Sequence, residues 1–276
     1  MARKTGLPYF VSFYGWDYEK LSFINPKYDK RIQVLFKEAT GIICEGNHGK
    51  EILKKKGCKS DKIFIQKLGI DVENIVFRKG SNEKKKIRLV QVASITPKKG
   101  HIYAIRALAQ VVERNKNVAL TFIGNESESG LKAKLEEEVR ILKLQNHVSF
   151  VNQIEYENLH KTLSEYDVFI HPSCYAEDKD CEGGAPIVLL DAQAVGLPII
   201  STFHCDIPEE VVDGHTGILC PEKDENSLAE AILHFKQMDN KRFSEFSLNA
   251  RKHVEDNYDI RKTAPRLTDI YKQALL

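Results

Sequence analysis

Short apolar runs alternate along the chain with segments whose apolar residues recur every three or four positions. The runs are rich in Val and Ile, and they predict strands at 87–94, 118–124, 148–151, 168–172, 197–202 and 216–220. Near-continuous apolar strands are typical of a parallel sheet buried on both faces. The intervening periodic segments predict helices at 100–114, 129–145, 155–165 and 187–196. This alternation predicts an α/β fold with a doubly wound, Rossmann-like parallel sheet.

A shorter pattern of the same kind precedes this sheet, and helical periodicity follows it. The earlier part predicts strands at 9–13, 40–44 and 62–66 and helices around 31–39 and at 48–56. The charged segment 76–86, VFRKGSNEKKK, is the best candidate for a domain boundary. Two or three helices are predicted from 226 onwards. We therefore predict a partial first domain (1–80), a ligand-binding domain (81–258) and a helix (259–276) that packs back towards the first part.

Composition and charge narrow the classes of function. Hydrophobic residues make up 42% of the 276 residues, enough for a sizeable core, and no apolar run reaches the ~20 residues that span a bilayer. Without a signal-peptide pattern, the chain is expected in the cytoplasm. The net charge of +2 divides into +9 over residues 1–86 and −7 over the remainder.

The basic part contains seven lysines whose role has two interpretations. A solvated helix face is the simpler one; attraction to a phosphorylated acceptor or to the anionic inner face of a membrane is the other. Nucleic acid is not predicted as a partner, because no aromatic stacking motif accompanies the charge. The lysines are Lys50, Lys54, Lys55, Lys56, Lys59, Lys62 and Lys67.

The six cysteines contain no CxxC pair and are expected to be reduced thiols. His171, Cys174, Cys181, His204 and Cys205 could meet near the ends of neighbouring strands, as zinc ligands do. Zinc ligands usually show tighter paired spacing, so no metal site is predicted.

The segment CEGGAPIVLLDAQAVGLPIIST (Cys181–Thr202) carries the most chemistry. Its glycines allow a ligand to approach the backbone, and Pro186 suits the first turn of a helix that should begin near Ala185. The free N–H groups of such a helix form an anion site suited to a diphosphate. Glu182 and Asp191 would then face hydroxyl groups, and an Asp inside an otherwise apolar helix favours a function for Asp191.

A second segment, ASITPKKGH (Ala93–His101), ends the first strand of the large sheet. Lys98 and Lys99 stand before Gly100 at a strand-to-helix turn, where lysine is a natural phosphate partner. Paired lysines in loops are usually solvated, so this segment has little weight by itself.

Together these motifs resemble the retaining glycosyltransferases of family 4, which have the GT-B fold. The resemblance runs in order over LGID (Leu68–Asp71), PKKG (Pro97–Gly100), TFIGNE (Thr121–Glu126), VSFVNQI (Val148–Ile154), DVFIHPS (Asp167–Ser173), EGGAPIVLLDAQAVGLPIIST and IPEEVVDGHTGIL (Ile207–Leu219). The Glu182–Thr202 segment with the one that follows it is the most specific part of the match.

The resemblance implies a role for each matching residue. Lys99 would bind the donor diphosphate, and Glu182 would contact the sugar, so these two are the predicted catalytic residues. Asp191 would bind the ribose, and Ile154 would lie against the nucleobase. Ser94 stands where many members carry a phosphate-binding Arg. Diphosphate and sugar would also meet the backbone of Gly183, Gly184, Ala185, Pro186 and Ile187.

Three departures from the family pattern bear on these roles. Eight residues separate Glu182 from Asp191, where seven are usual, and the second acid is Asp rather than Glu. In SFYGWD (Ser12–Asp17), Tyr14 stands where many members carry a His that faces the reacting sugar; Tyr14, Gly15 and Asp17 are the candidate acceptor-side residues. The family's opening strands and glycine-rich loop have no counterpart here, so a truncated product or a partner that supplies them is expected, with self-association through exposed strand edges.

The predicted activity is transfer of a sugar from a nucleotide-diphosphate sugar to an acceptor hydroxyl, with retention of configuration and without a metal. The acceptor would be a carbohydrate or a lipid-linked glycan of cell-surface polysaccharide or glycolipid synthesis. The alternative is a non-catalytic nucleotide-sugar-binding module or inactive fragment. A nucleotide-sugar epimerase would need acid and base groups facing the sugar from both domains, and none is seen. A purely structural or partner-binding fragment would tolerate changes at Lys99, Glu182 and Asp191.

Overall fold

A six-stranded, fully parallel sheet forms the centre of the computed structural model, which describes residues 6–83 and 86–275. Its strand order is β6-β5-β4-β7-β8-β9, which is the doubly wound order of a Rossmann-like domain. The strands are β4 Ile87–Val92, β5 Val118–Ile123, β6 Val148–Val151, β7 Val168–Ile170, β8 Ile199–Thr202 and β9 Gly217–Cys220. The predicted α/β fold is confirmed.

Both faces of this sheet are buried, as the continuous apolar strands predict. Leu89 packs into the apolar cluster on one face, while its neighbour Val90 packs into the cluster on the other. Val168 and Phe169 divide in the same way, because successive side chains of a strand point to opposite faces. The covering helices are α4 His101–Arg114, α5 Leu131–Ile141, α6 Tyr156–Leu163, α7 Val188–Val195, α8 Ile207–Glu210, α9 Glu225–Gln237 and α10 Asn240–Asn257.

A second, three-stranded parallel sheet is built from the first part of the chain, in the order β1-β2-β3. Phe13, Phe36, Ile42 and Leu53 are among the buried residues of its separate apolar core. Its elements are β1 Phe10–Ser12, α1 Lys20–Ile24, α2 Lys27–Glu38, β2 Gly41–Cys44, α3 Asn47–Lys55 and β3 Ile63–Ile65.

The helix α11, Ile260–Leu275, packs against the first sheet. The rings of Tyr271 and Phe10 lie 4.7 Å apart, and Gln66 donates a hydrogen bond to the Thr263 carbonyl at 3.0 Å. Residues more than 190 positions apart in sequence thus complete one packing unit.

The two sheets meet along a seam on which backbone and side chains of both parts are in contact. The Tyr18 hydroxyl donates to the Gly183 carbonyl at 2.9 Å. The first N–H groups of α3 donate across the seam, Asn47 to Glu209 and His48 to Asp206, each at 2.7 Å. Carboxylates at a helix N-terminus satisfy its free donors, so these contacts fix the position of α3 on the large domain.

The sequence predictions were wrong at several element boundaries. The helix expected near Ala185 begins at Val188, because Ala185 precedes a proline, which disfavours helical backbone, and a turn at Pro186 intervenes. The helix expected around 31–39 begins at Lys27. The short helices α1 and α8 were not predicted, since four or five residues are too few to show a period.

The segment 76–83 of the predicted boundary is extended and runs along the large domain. Arg78 N–H donates to the Val195 carbonyl and Gly80 N–H to the Ser247 hydroxyl, each at 2.8 Å. Lys84 and Lys85 of the boundary prediction lie outside the described residues. The division at 80 and 258 stays a prediction.

Candidate functional site

Lys99 is positioned by a tight turn at the carboxyl end of β4. Pro97–Lys99 form one turn of 3₁₀ helix, and buried Gln91 donates to the Lys99 carbonyl at 2.7 Å. Gly100 has φ +67°, and a Cβ there would lie 1.9 Å from the Pro172 carbonyl oxygen. A glycine is therefore required for this turn to lie against the end of β7. β4 and β7 are neighbours at the point where the strand order reverses, which is where open α/β sheets bind ligands.

Glu182 follows β7 and meets Lys99 at this reversal point. Lys99 Nζ lies 2.7 Å from Glu182 Oε2, and the Glu182 side chain is only 5% exposed. Ser173 donates its hydroxyl proton to Glu182 Oε1 at 2.7 Å. Ser173 must then accept from His171 Nδ1 at 2.8 Å, which places the His171 proton on Nδ1. A fixed chain from His171 through Ser173 thus orients the carboxylate.

The charges at this point favour an ionised Glu182 beside a neutral His171. Burial raises the pKa of Glu182, but the charge and hydrogen bond of Lys99 outweigh it, and the pKa falls to about 2. Burial, with the Lys99 charge nearby, lowers the pKa of His171 to about 3. The ion pair is therefore present across the physiological pH range.

Asp191 lies inside α7 and is 1% exposed, so it is not a surface residue. Its Oδ1 atom accepts from the Tyr156 hydroxyl at 3.0 Å and bonds His160 Nε2 at 2.8 Å. Both partners lie on α6, and Tyr156 and Asp191 line a cavity of about 510 Å³. This volume falls in the range of small-molecule sites.

The same cavity collects several of the predicted donor-binding residues. Ser94 after β4 and Ile154 after β6 line it, together with Ile187 and Asp191 at the start of and within α7. The Lys99–Glu182 pair and the residues Gly183, Gly184, Ala185 and Pro186 are not among the cavity's lining residues. The structure thus divides the predicted site into an open cavity that contains Asp191 and a separate Lys99–Glu182 ion pair.

Glu45, which the sequence analysis did not single out, lies at the seam beside the loop that contains Gly183 and Gly184. It follows β2 of the first sheet, and its carboxylate accepts a hydrogen bond from the Ala185 N–H. A Cβ at Gly184 would lie 1.4 Å from Glu45 Oε2, so the carboxylate sits directly on the loop backbone. Burial, followed by the negative charge of Asp206, raises the pKa of Glu45 to about 8. An acid thus lies against the backbone predicted to hold diphosphate.

The three acceptor-side candidates form a turn that faces the same loop. The Asp17 carboxylate accepts from the N–H groups of Tyr14 and Gly15 at 3.2 Å, which closes the turn. Tyr14 is 53% exposed, and it lines a cavity of about 250 Å³ together with Glu45 and Tyr271. The structure places these residues next to the donor-side loop without showing what they bind.

Gly183 and Gly15 pack backbone to backbone, and this contact predicts a large mutational effect. Gly183 has φ +80°, and a Cβ there would lie 2.1 Å from the Gly15 Cα. We expect Gly183→Ala to lower the free energy of unfolding by about 2–4 kcal/mol, through strain and a clash that rigid backbone cannot relieve. Urea unfolding measures it. Gly130→Ala, at φ +83° with nothing within 4 Å, is the control for the strain alone and should cost about 1 kcal/mol. Equal losses in the two variants would contradict the close contact.

The sequence of the chain matches a known protein family over most of its length. The family model described as glycosyl transferases group 1 matches residues 71–253. The chain belongs to this family. That match covers β4 to α10, and so includes the turn at Lys99, the Glu182 loop and the helix of Asp191.

Curated relatives extend the similarity into the first sheet. The putative colanic acid biosynthesis glycosyltransferase WcaL of Escherichia coli K12 is 29% identical over 248 residues, which are 90% of this chain and 60% of that protein. The amylovoran biosynthesis glycosyltransferase AmsK of Erwinia amylovora is 33% identical over 181 residues, 66% of this chain and 44% of its own. The chain spans at most about 60% of the length of these relatives.

Solved structures share the fold at low sequence identity. Anabaena Alr3699/HepE, crystallised with UDP-glucose, has a TM-score of 0.82 at 16% identity, covering 99% of this chain and 74% of that one. Sucrose-phosphate synthase from Thermosynechococcus elongatus has a TM-score of 0.81 at 19% identity, covering 96% and 67%. The GT-B resemblance inferred from the sequence motifs is confirmed by the family and by these folds.

The sequence analysis assigned no donor-site role to several residues of the site. His171 and Ser173 lie inside the DVFIHPS motif, just after the end of a strand. Their positions i and i+2 indicate that the two side chains could point to the same side. Tyr156 and His160 are one helical turn apart and so share a face of α6, which indicates a joint role. No local sequence pattern pointed to Glu45, because its partner Ala185 lies 140 positions away.

The structure also shows the contacts of the basic segment and of the His and Cys residues that were weighed for zinc. Lys54 pairs with Glu51 and Lys56 with Asp29, while Lys62 donates to three carbonyls that include Phe36 and Ala39. Much of the positive charge is thus engaged within the fold. The residues His171, Cys174, Cys181, His204 and Cys205 do not meet as one set, since His171 bonds Ser173 and Cys174 lies against the Pro97 carbonyl.

Proposed function

We propose that this chain is the donor-binding part of a retaining glycosyltransferase that transfers a sugar from a nucleotide-diphosphate sugar to an acceptor hydroxyl. The observation that carries the proposal is the buried Asp191 carboxylate in a cavity at the carboxyl ends of the strands, the edge at which Lys99 and Glu182 also form their ion pair. The named relatives act in colanic acid and amylovoran synthesis, which supports a polysaccharide acceptor. UDP is favoured as the nucleotide because HepE was crystallised with UDP-glucose.

The cavity suits a nucleoside. Its walls are largely apolar around Ile154, Ile187 and Leu159, which fits a nucleobase, while Asp191 offers an acceptor to ribose hydroxyl groups. A ribose would compete with Tyr156 and His160 for the same carboxylate. These two side chains would hold the Asp191 carboxylate in place before the donor arrives.

The diphosphate would extend from the cavity towards Lys99. As the bond between the sugar and the diphosphate breaks, negative charge grows on the leaving phosphate oxygen, and a fixed ammonium group stabilises it. Lys99 is suited to this because Glu182 and the Gln91-held turn fix its position. Glu182 would accept hydrogen bonds from the sugar hydroxyls with its ionised carboxylate. No catalytic metal is required in this scheme, because the protein supplies the positive charge.

Calorimetric titration of the chain with UDP, GDP and their sugar conjugates tests the donor site. We expect UDP to bind, and Asp191→Asn to weaken it by about 10- to 100-fold, as loss of a charged hydrogen-bond acceptor does. Glu157→Gln, on the exposed side of α6, is the control and should bind as the parent chain does. Equal affinity in the Asp191→Asn variant would remove the nucleoside from this cavity. Turnover with a UDP-sugar then separates an enzyme from a binding module.

Contacts with a membrane and with a second copy remain further proposals. Among residues 6–83 and 86–275, no helix has the length and apolar character needed to cross a bilayer. Exposed Lys54, Lys55 and Lys59 lie at and just beyond the end of α3, in the same part of the chain as exposed Phe23 and Ile24 of α1. We propose peripheral contact of this part with the anionic inner face of a membrane from the cytoplasm. Co-sedimentation with anionic and neutral vesicles tests it, and sedimentation velocity tests self-association.

A further inference from the structure

Four segments of the chain bring two thiols, a carboxylate and two imidazoles together at the seam. Ligand atoms of Glu19, Cys181 and Cys205 lie within 4.8 Å of one another. Cys181 Sγ is 2.7 Å from Glu19 Oε2, and His48 Nε2 is 3.5 Å from that same oxygen. His48 also interacts with the Cys205 thiol. Glu19 and His48 come from the first part of the chain, and the cysteines come from the loops after β7 and β8.

From this geometry we propose a structural zinc site formed by Cys181, Cys205, Glu19 and His48. Around a tetrahedral zinc, with Zn–S about 2.3 Å and Zn–N or Zn–O about 2.1 Å, neighbouring ligand atoms lie about 3.5–3.8 Å apart. The observed cluster is within roughly 1 Å of that arrangement on its three closest ligands. Thiolate and imidazole ligands select zinc over the hard cations magnesium and calcium, which take oxygen ligands.

The surroundings hold the ligands as the partners of metal-binding groups do. The Tyr175 hydroxyl donates to Glu19 Oε1 at 3.0 Å, which leaves Oε2 directed at Cys181. His204 lies beside Cys205, with Nε2 3.2 Å from its Sγ, and is itself fixed by Glu222 at 2.7 Å. Such carboxylate and hydroxyl partners orient ligands and are part of most metal sites.

The backbone at Cys205 supplies an independent observation. Cys205 has φ +46°, in the left-handed region that a side chain other than Gly, Asn or Asp seldom adopts. Strain of this kind persists where surrounding contacts over-determine a conformation, and it concentrates at ligand sites. Here the strained residue is the one whose thiol faces Cys181.

A zinc ion at this place would link the loop that contains Cys181 and Glu182 to the first part of the chain. Cys181 is 1% exposed and directly precedes Glu182, and Cys205 directly precedes Asp206, which holds the N-terminus of α3. The metal would close loops of well over 100 residues, so its effect on the stability of the seam would be large. This proposal replaces the sequence prediction of no metal site.

The test uses the full chain, dialysed against trace zinc and analysed by plasma mass spectrometry. We expect one zinc per chain, and about a tenth of that or less in Cys181→Ser/Cys205→Ser, with Cys58→Ala retaining the metal as a control. Cobalt in place of zinc should give thiolate-to-metal charge-transfer absorption that the double variant lacks. Saturating zinc should also raise the melting temperature of the parent chain by several degrees.

Single variants keep the test decisive if the double variant fails to fold. His48→Gln and Glu19→Gln should each weaken zinc at least about 10-fold in chelator competition, as loss of one ligand does. Equal zinc content in the cysteine variants and the parent chain would overturn the proposal, as would absence of zinc from the folded parent. A Cys181–Cys205 disulfide found by peptide mapping after thiol alkylation would overturn it as well.

Discussion

Replacing Lys99 with Met should destabilise the fold as well as abolish donor binding. Glu182 is 5% exposed, and its carboxylate would be left buried without a cation. Removing one partner of a buried ion pair costs about 3–5 kcal/mol. Urea unfolding should show this loss, and calorimetry should show no UDP binding at concentrations that saturate the parent chain. Lys54→Met is the control, because its pair with Glu51 is exposed on both sides and should cost at most about 1 kcal/mol.

The double variant Lys99→Met/Glu182→Gln separates stability from function. Without the carboxylate charge, the cost of an unpaired buried ion disappears, and stability should return to within about 1 kcal/mol of the parent. Donor binding should stay absent, since the phosphate partner is still missing. If the double variant regained UDP affinity, Lys99 would serve only to neutralise Glu182. If stability were not regained, the loss would come from packing rather than charge.

Glu45→Gln should flatten the dependence of stability on pH between about 4.5 and 8. The pKa of Glu45 is raised to about 8 by burial and by nearby negative charge, so the folded chain binds a proton that the unfolded chain releases above its ordinary pKa near 4.5. The free energy of unfolding therefore falls as pH rises through this window and levels off above 8. A neutral amide cannot release that proton. The variant should match the parent near pH 5 and be more stable at pH 8.5.

Urea midpoints measured at half-unit pH steps would show this effect. Asp206, Glu182 and Asp17 also carry charge towards Glu45, so the variant removes one part of the slope and not all of it. Glu51→Gln, on an exposed face of α3, is the matched control and should leave the slope unaltered. A stability difference between variant and parent that does not grow from pH 5 to pH 8 would contradict the assignment. Because Glu45 touches the predicted phosphate-binding loop, the variant should also bind UDP more tightly at pH 8.5.

The local sequence pattern was sufficient to predict the large sheet and about half of the residues of the candidate donor site. Apolar runs are set by the chain's own period, so β4 to β9 could be placed from the sequence. Lys99 and Asp191 could be singled out because each is unusual in its own segment: a lysine before a glycine at a strand end, and an acid in an apolar helix. The structure places Asp191 in the cavity and Lys99 on Glu182, although their roles towards a donor stay predictions.

The rest of the candidate sites depends on contacts between residues that are far apart in sequence, which no local pattern can predict. Glu45 reaches Ala185 across 140 positions, and Cys181 meets Glu19 across 162. The sequence analysis weighed His171 and Cys174 for zinc because both could lie at a strand end, and it predicted no metal site; the proposed cluster instead takes Glu19 and His48 from the first part of the chain. The start of α7 was misplaced for a smaller reason, since a proline that suits a first helical turn also holds Ala185 outside it.

The packing of α11 on the first sheet has a consequence for synthesis on the ribosome. β1 to β3 emerge early, yet the helix that covers them, with Tyr271 against Phe10, is made about 200 residues later. At roughly 5–20 residues per second, the nascent first sheet waits about 10–40 s for its cover. During that interval its apolar surface is open to other nascent chains. A chaperone that shields it until translation reaches residue 275 would be expected to raise the yield of folded protein.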